Sequence, residues 1–320
     1  MLVIVAPGQG AQTPGFLTPW LEDPDVAAYV DWLSAVSGLD LAHYGTAADE
    51  DTIRDTKVAQ PLLVAAGLVA ARQLALASGP MLAGAVTGHS VGELTAAVGA
   101  GVITAEQAMV LVRERGNAMA DAAAVTPTGM TAVLGGDRDE VLAAIAAHGL
   151  TAANDNGPGQ IVAAGTTEQL AVFADNGPSG ARLRSLSVAG AFHSPHMAPA
   201  VDHVTGLARS VSVTDAHTPF ITNSDGTVVR DGRDALDRIV GQIARPVRWD
   251  LCLETMAGLG VTGVLELPPA GTLTGIAKRY FRGREPGVET FALSGPEQLD
   301  EARAFCERHA AAAHTEVVPA

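Results

Sequence analysis

Cysteine is almost absent from the 320 residues: Cys252 and Cys306 are the whole complement. Two thiols so far apart make no metal-ligand cluster and no disulfide framework. Basic residues are also few. Twenty Lys and Arg stand against 35 Asp and Glu, a formal net charge of −15. A nucleic-acid binder carries the opposite electrostatic footprint, so that class is set aside. Long apolar runs are missing as well. Stretches such as Leu62–Ala71 fall short of the ~18–20 residues a spanning helix needs, so no membrane segment is expected. The opening Met-Leu-Val-Ile-Val-Ala-Pro has neither a basic n-region nor an apolar h-region of signal length. The expectation is a cytoplasmic protein. What the chain does have is apolar mass, 48% of residues, much of it alanine and enough for a full core. At ~150 residues per domain the length suggests about two domains.

Leu2–Ala6 reads as a buried strand that feeds the loop Pro7-Gly-Gln-Gly10. Residues 58–77 read as a helix. Ala83–Thr87 reads as a second short strand, ended by Gly88-His-Ser-Val-Gly92 and followed by a helix at 93–100. Thr104-Ala-Glu-Gln107 has the form of a capping box that opens another helix. The middle of the chain changes character. Met130–Leu134, Thr151–Asn154, Gln160–Ala164 and Arg182–Val188 read as strands, with helices at Asp139–Ala147 and Glu168–Ala174. That βαββαβ order predicts a ferredoxin-like subdomain at 127–188. It is inserted into a larger unit formed by 1–126 and 189–310, which includes a strand at Gly263–Leu267. The alanine-rich end, 311–320, is expected to be a frayed tail.

Gly88-His-Ser-Val-Gly92 is a Gly-x-Ser-x-Gly pentapeptide between a strand and a helix, the setting a nucleophile elbow requires. The following helix N-terminus offers free N–H groups and a positive dipole end. Ser90 is therefore the candidate nucleophile, and Val91 N–H a candidate oxyanion donor. An ordinary glycine-rich turn is the competing reading. A neutral serine needs a base, and the loop Ala191-Phe-His-Ser-Pro-His-Met197 offers both His193 and His196. Their His-x-x-His spacing matches no standard zinc pattern, so no metal is expected. His89 reads as a structural support of the elbow.

The helix from Thr104 carries an apolar stripe, Ala108, Leu111, Val112 and Met119. Arg115 falls on that stripe and Arg113 off it. An inward arginine is costly unless an anion meets it. Either an internal acid pairs with it, or it awaits a substrate carboxylate in bidentate geometry.

Taken together, Gly8-Gln-Gly-Ala-Gln12, Gly88-His-Ser-Val-Gly-Glu93, Arg113-Glu-Arg-Gly116 and Ala191-Phe-His-Ser194 resemble the malonyl-CoA:acyl carrier protein transacylases. More broadly they resemble the acyltransferase domains of fatty acid and polyketide synthesis. Asn156-Gly-Pro-Gly-Gln160, Gln242-Ile-Ala-Arg-Pro-Val-Arg-Trp249 and Gly271-Thr-Leu-Thr-Gly275 extend the resemblance, which runs from about residue 3 to 295 and looks nearest to the stand-alone actinobacterial type. It implies a large hydrolase-like α/β subdomain with a parallel sheet, a small ferredoxin-like one, and an active site between them. It also implies roles. Ser90 is the nucleophile and His193 the base. Gln242 orients the histidine, largely through its carbonyl. Gln9 and Val91 form the oxyanion hole. Arg115 binds the acyl carboxylate. Asn156 belongs to the pocket, and Phe192 beside the base resembles the malonyl-selective form, filling the space that an α-methyl group needs. Pro269-Ala270 and Arg245 depart from the usual Pro-Gly and Asn. Neither touches the nucleophile, base or arginine.

The reaction implied is ping-pong transfer of a malonyl group from malonyl-CoA to the phosphopantetheine thiol of an acyl carrier protein. No cofactor is called for, and a monomer is expected. Lys278, Arg279, Arg282 and Arg284 are the densest basic cluster and a candidate docking face for an acidic carrier, against the plainer reading of a solvated helix end. A serine hydrolase or thioesterase, a transferase for another acyl-CoA such as methylmalonyl-CoA, and a carrier-binding scaffold with a relic site are the rivals.

Overall fold

The computed structural model describes residues 1–78 and 83–311. Its strands in chain order are β1 (Leu2–Ala6), β2 (Ala85–Gly88), β3 (Thr128–Gly135), β4 (Thr151–Asp155), β5 (Gln160–Thr166), β6 (Ala181–Ser185), β7 (Phe220–Ile221), β8 (Val228–Val229), β9 (Val247–Arg248), β10 (Gly263–Glu266) and β11 (Glu289–Ala292). They form two sheets. The larger has the order β11-β10-β1-β2-β7-β8 and is parallel except where β8 turns back on β7. β1 shows why an unbroken apolar run suits this place. Leu2, Ile4 and Ala6 enter one hydrophobic core, while Val3 and Val5 enter another with Trp249, Leu253 and Met256 on the opposite face. A strand covered on both faces has no polar side to present.

Helices Thr56–Ser78, Gly92–Ala100 and Ala105–Ala123 pack together on the first of those faces. The first of them corrects the expectation from apolar runs. By length and composition, Thr56–Ala75 is long and apolar enough to cross a membrane. In the fold, 78% of its most apolar window is buried, so a core helix that is apolar nearly all round accounts for it.

The second sheet has the order β6-β3-β5-β4-β9. Its first four strands pair antiparallel throughout, and helices Arg138–Ala147 and Thr167–Asp175 supply the two crossovers. That is the ferredoxin-like arrangement expected from the βαββαβ pattern. Val133, Val141, Ile145, Ile161 and Phe173 give this sheet a core of its own. Two details differ from expectation. β6 ends at Ser185, so Leu186 and Val188 leave the sheet and line a cleft instead. β9, from the later part of the chain, adds a fifth strand, pairing parallel with β4 at Asn154↔Val247 and Asp155↔Arg248. The chain that follows the insertion is therefore hydrogen-bonded to it. Helix Leu299–Ala311 ends the described chain, and the expected tail beyond it lies outside the described residues.

Candidate active site

The loops at the carboxyl ends of β1 and β2 meet the face of the smaller sheet across a cleft of about 1080 Å³, its open mouth included. Ligands of open parallel sheets bind at strand carboxyl ends for topological reasons. Gln9, His89, Ser90 and Val91 line one wall, and Met130, Ala132, Asn154, Asn156 and Val162 the other. Phe192, His193, and Leu273 and Ile276 from helix Thr272–Tyr280 complete the lining.

Ser90 sits at φ 54, in the left-handed region that non-glycine residues avoid. The flanking glycines serve close approach. A Cβ on Gly88 would stand 2.0 Å from the Gly92 carbonyl carbon, and one on Gly92 would stand 2.3 Å from Ala6 O. Both distances are impossible, so positions 88 and 92 must be glycine for the elbow to fold as it does. Ser90 N–H donates to Asn223 Oδ1 (2.8 Å), and Asn223 Nδ2 donates to Gly88 O (2.7 Å), which pins the turn from beneath.

Ser90 Oγ–H donates to His193 Nε2 at 2.7 Å. His193 Nδ1–H donates to the main-chain carbonyl of Gln242 at 2.8 Å. Because a carbonyl can only accept, the Nδ1 tautomer is fixed and Nε2 is left as the acceptor. His193 is also in the left-handed region, at φ 58. Backbone strain of this kind persists only where the surroundings over-determine it. Burial first, then the positive charge of Arg115 and the nearby His89, hold the His193 imidazole down to about 3. It is neutral at any physiological pH.

Arg115 is 2% exposed, on the inner face of helix Ala105–Ala123, where the stripe put it. Among the described residues its guanidinium makes no salt bridge. Nη1 donates to Gln60 Oε1 (2.6 Å), and Nη2 donates to Gln242 Oε1 (3.0 Å) and to Ser90 Oγ (3.3 Å). Among the described residues its buried Nε–H has no partner. A buried cation is thus held by neutral oxygens, against the nucleophile. Burial lowers Arg115 to about 10, with Glu93 pulling the other way, and it stays charged at neutral pH.

Among the described residues, Val91 N–H and Gln9 N–H donate to no protein acceptor. The Gln9 side chain turns away and donates to Arg54 O (3.2 Å). Asn156 Oδ1 accepts from His89 Nε2 (2.9 Å), and the His89 ring meets Trp249 edge-on with centroids 5.6 Å apart. The elbow histidine is therefore braced against the opposite wall. Phe192 is buried and lines the cleft, whereas His196 is on a short 3₁₀ turn and does not line it. Lys278 and Arg279 close helix Thr272–Tyr280, and Arg282 and Arg284 follow it, all exposed. Arg279 donates to Gln160, a cleft residue (3.2 Å), and Arg284 folds back over the Tyr280 ring.

Four residues of consequence escaped the sequence reading. Gln60 is a polar residue inside an apolar helix, a signal that was there to be read. Glu93 stood inside the motif without a role. Asn223 has no local signal. Glu266, fully buried at the end of β10, accepts from Gly271 N, Leu273 N, Thr274 N and Thr274 Oγ1, and so ties down a helix that lines the cleft. Among the described residues no group of three or more His, Cys, Asp or Glu could hold a metal ion.

Comparison with known proteins agrees with this geometry. The acyl transferase domain family matches residues 3–316. The malonyl CoA-acyl carrier protein transacylase of Mycobacterium tuberculosis is 47% identical over 304 residues, 94% of this chain and 99% of that protein. The crystal structure of MCAT from Mycobacterium tuberculosis superposes with a TM-score of 0.90 at 47% identity, covering 95% of this chain and 99% of that one. A type II PKS acyl-carrier protein in complex with its malonyl-transacylase provides a further match, with a TM-score of 0.87 at 28% identity over 95% of this chain and 99% of that one. The chain belongs to the acyl transferase domain family, the family of the malonyl CoA-acyl carrier protein transacylases.

Proposed function

We propose that this protein transfers a malonyl group from malonyl-CoA to the phosphopantetheine thiol of an acyl carrier protein, through an acyl-enzyme on Ser90. The observation that carries the reading is the buried Arg115 guanidinium, held among the described residues by neutral oxygens only, with Nη2 3.3 Å from Ser90 Oγ. A malonyl ester on Ser90 places its free carboxylate two carbons from the ester carbonyl, within reach of that guanidinium. The carboxylate would displace weaker amide acceptors with charge-assisted hydrogen bonds.

His193 Nε2 takes the Ser90 proton as Oγ attacks the thioester carbon, and the carbonyl electrons move onto oxygen. The free Gln9 and Val91 N–H groups are the donors for that oxyanion; losing one such donor costs about 3–4 kcal/mol in comparable sites. Collapse breaks the C–S bond, and His193 returns the proton to the departing thiolate as coenzyme A. The carrier thiol then repeats the sequence in reverse, again with His193 as base. Gln242 holds the imidazole where a carboxylate does so in other serine enzymes. A thioester is reactive enough for a serine–histidine pair, so the reading needs no metal or cofactor. Phe192, buried beside His193, occupies space that an α-methyl group would need.

The same reading makes 127–188 the inserted small subdomain and 1–126 with 189–310 the large one. It also makes Lys278, Arg279, Arg282 and Arg284 part of the carrier docking face. A carrier and a coenzyme A thioester are its partners, a monomer its state, and the cytoplasm its place. Initial-rate kinetics with both substrates varied test it. Parallel double-reciprocal lines, with thiol acceptors outcompeting water, are expected. Intersecting lines, or release of free malonate that thiols do not suppress, would point to a different enzyme.

A further inference from the structure

Glu93 is fully buried on the first turn of the elbow helix, and nothing in the transfer chemistry uses it. Each of its oxygens accepts a short hydrogen bond. Oε1 accepts from Asn223 N–H (2.6 Å) and Oε2 from Gln242 Nε2–H (2.5 Å). These two donors lead to the two halves of the site. Asn223 pins the elbow through Ser90 N–H and Gly88 O. Gln242 presents its amide oxygen to Arg115 and its main-chain carbonyl to His193.

An amide has two nearly identical ends, and its neighbours decide which way it points. Gln242 Nε2 also lies 3.2 Å from Ser90 O and 3.1 Å from Asn223 Oδ1, but its shortest bond is the one to Glu93, and with the NH₂ turned to these acceptors the oxygen is left for Arg115. Were the amide reversed, NH₂ would meet guanidinium, donor against donor, and Arg115 would be driven from its place. We propose that Glu93 is the positioning residue for Arg115: by accepting on both oxygens it fixes the Gln242 amide with its oxygen toward the guanidinium. Arg115 is then held in aim by a neutral partner that an acyl carboxylate can displace. Glu93 thereby sets the preference for a dicarboxylic acyl group without touching the substrate. The proposal rests on Arg115 being the carboxylate site.

The test compares Glu93→Gln with Glu93→Asp, reading kcat/KM for acylation by malonyl-CoA and by acetyl-CoA, with a thermal melt of each variant. Gln keeps the size but replaces one acceptor by a donor, so it cannot accept from both Asn223 N–H and Gln242 Nε2–H and loosens the Gln242 amide. Asp keeps the acceptors and loses a methylene. The malonyl-to-acetyl ratio is expected to fall about tenfold to a hundredfold in the Gln variant. Acetyl transfer should stay within about threefold of wild type, and the Asp variant should keep more of the ratio than Gln. A brace that acts through size alone gives the opposite order, Gln milder than Asp, and that order overturns the proposal. So does a parallel fall of malonyl and acetyl acylation, or no change in either. A wild-type protein with no malonyl preference would instead refute the role of Arg115, a failure visible without any variant.

Discussion

Replacing Arg115 by alanine removes a cation in contact with Ser90 Oγ, and the consequences differ by substrate. A malonyl carboxylate loses two charge-assisted hydrogen bonds at about 1.5–3 kcal/mol each. The sum, about 3–6 kcal/mol, corresponds to a loss of roughly 10² to 10⁴ in kcat/KM for malonyl-CoA. An acetyl group has no carboxylate to lose. For acetyl-CoA two smaller effects oppose each other: Ser90 Oγ loses the Arg115 Nη2 donor, and His193 loses the charge that is the second cause, after burial, that holds it low. Without that charge the base strengthens. Truncation also strands the Gln60 and Gln242 side-chain oxygens, at about 1–3 kcal/mol of stability each, so rates should be compared where a thermal melt shows the variant fully folded. Stopped acylation with malonyl-CoA and acetyl-CoA, resolved by intact mass, gives both constants from one preparation. Malonyl acylation falling at least a hundredfold, with acetyl little changed, is the expected pattern. A parallel fall in both would refute the reasoning, since it would make Arg115 a general support and not a carboxylate site.

The low His193 value has its own consequence. The native chain keeps this imidazole neutral down to about 3, whereas the unfolded chain protonates it near 6.5. Stability therefore drops as pH falls from about 6.5 toward 3, while acylation kcat/KM shows no acid limb near 6.5; an inflection there would contradict the neutral-base assignment. Glu266→Ala strands the buried Leu273 and Thr274 N–H groups and the part-buried Gly271 N–H at the start of helix Thr272–Tyr280. At about 1–3 kcal/mol for each of the two buried donors, a denaturant melt should lose about 2 kcal/mol or more, and a loss below ~1 would show that the cap is dispensable. Charge reversal at Arg282 and Arg284 should raise the carrier KM and leave the coenzyme A half-reaction unchanged; an unchanged carrier KM removes these residues from the docking face.

Local pattern made much of this molecule legible. Leu2–Ala6 and the Thr104 capping box each depend on a few neighbouring residues, and both are found in place. The inward turn of Arg115 follows from helical spacing alone. Features set by distant partners were not legible. β9 is two residues long and owes its existence to β4, which the chain passes about 90 residues earlier. Asn223 matters because three-dimensional closure brings it under an elbow 133 residues away. The Thr56–Ser78 helix shows the converse: composition could not say that its apolar surface faces other helices. Glu93 falls between these cases. Its position in the motif was plain, but its partners Asn223 and Gln242 are joined to it only by the fold.

The most direct measurement is intact-protein mass spectrometry after brief exposure to malonyl-CoA, with acetyl-CoA and Ser90→Ala run alongside. A single malonyl adduct that requires Ser90, with little acetyl adduct, is expected. Equal acetyl and malonyl labelling would keep the nucleophile and contradict the carboxylate role of Arg115. No adduct, with free malonate accumulating, would contradict transfer itself.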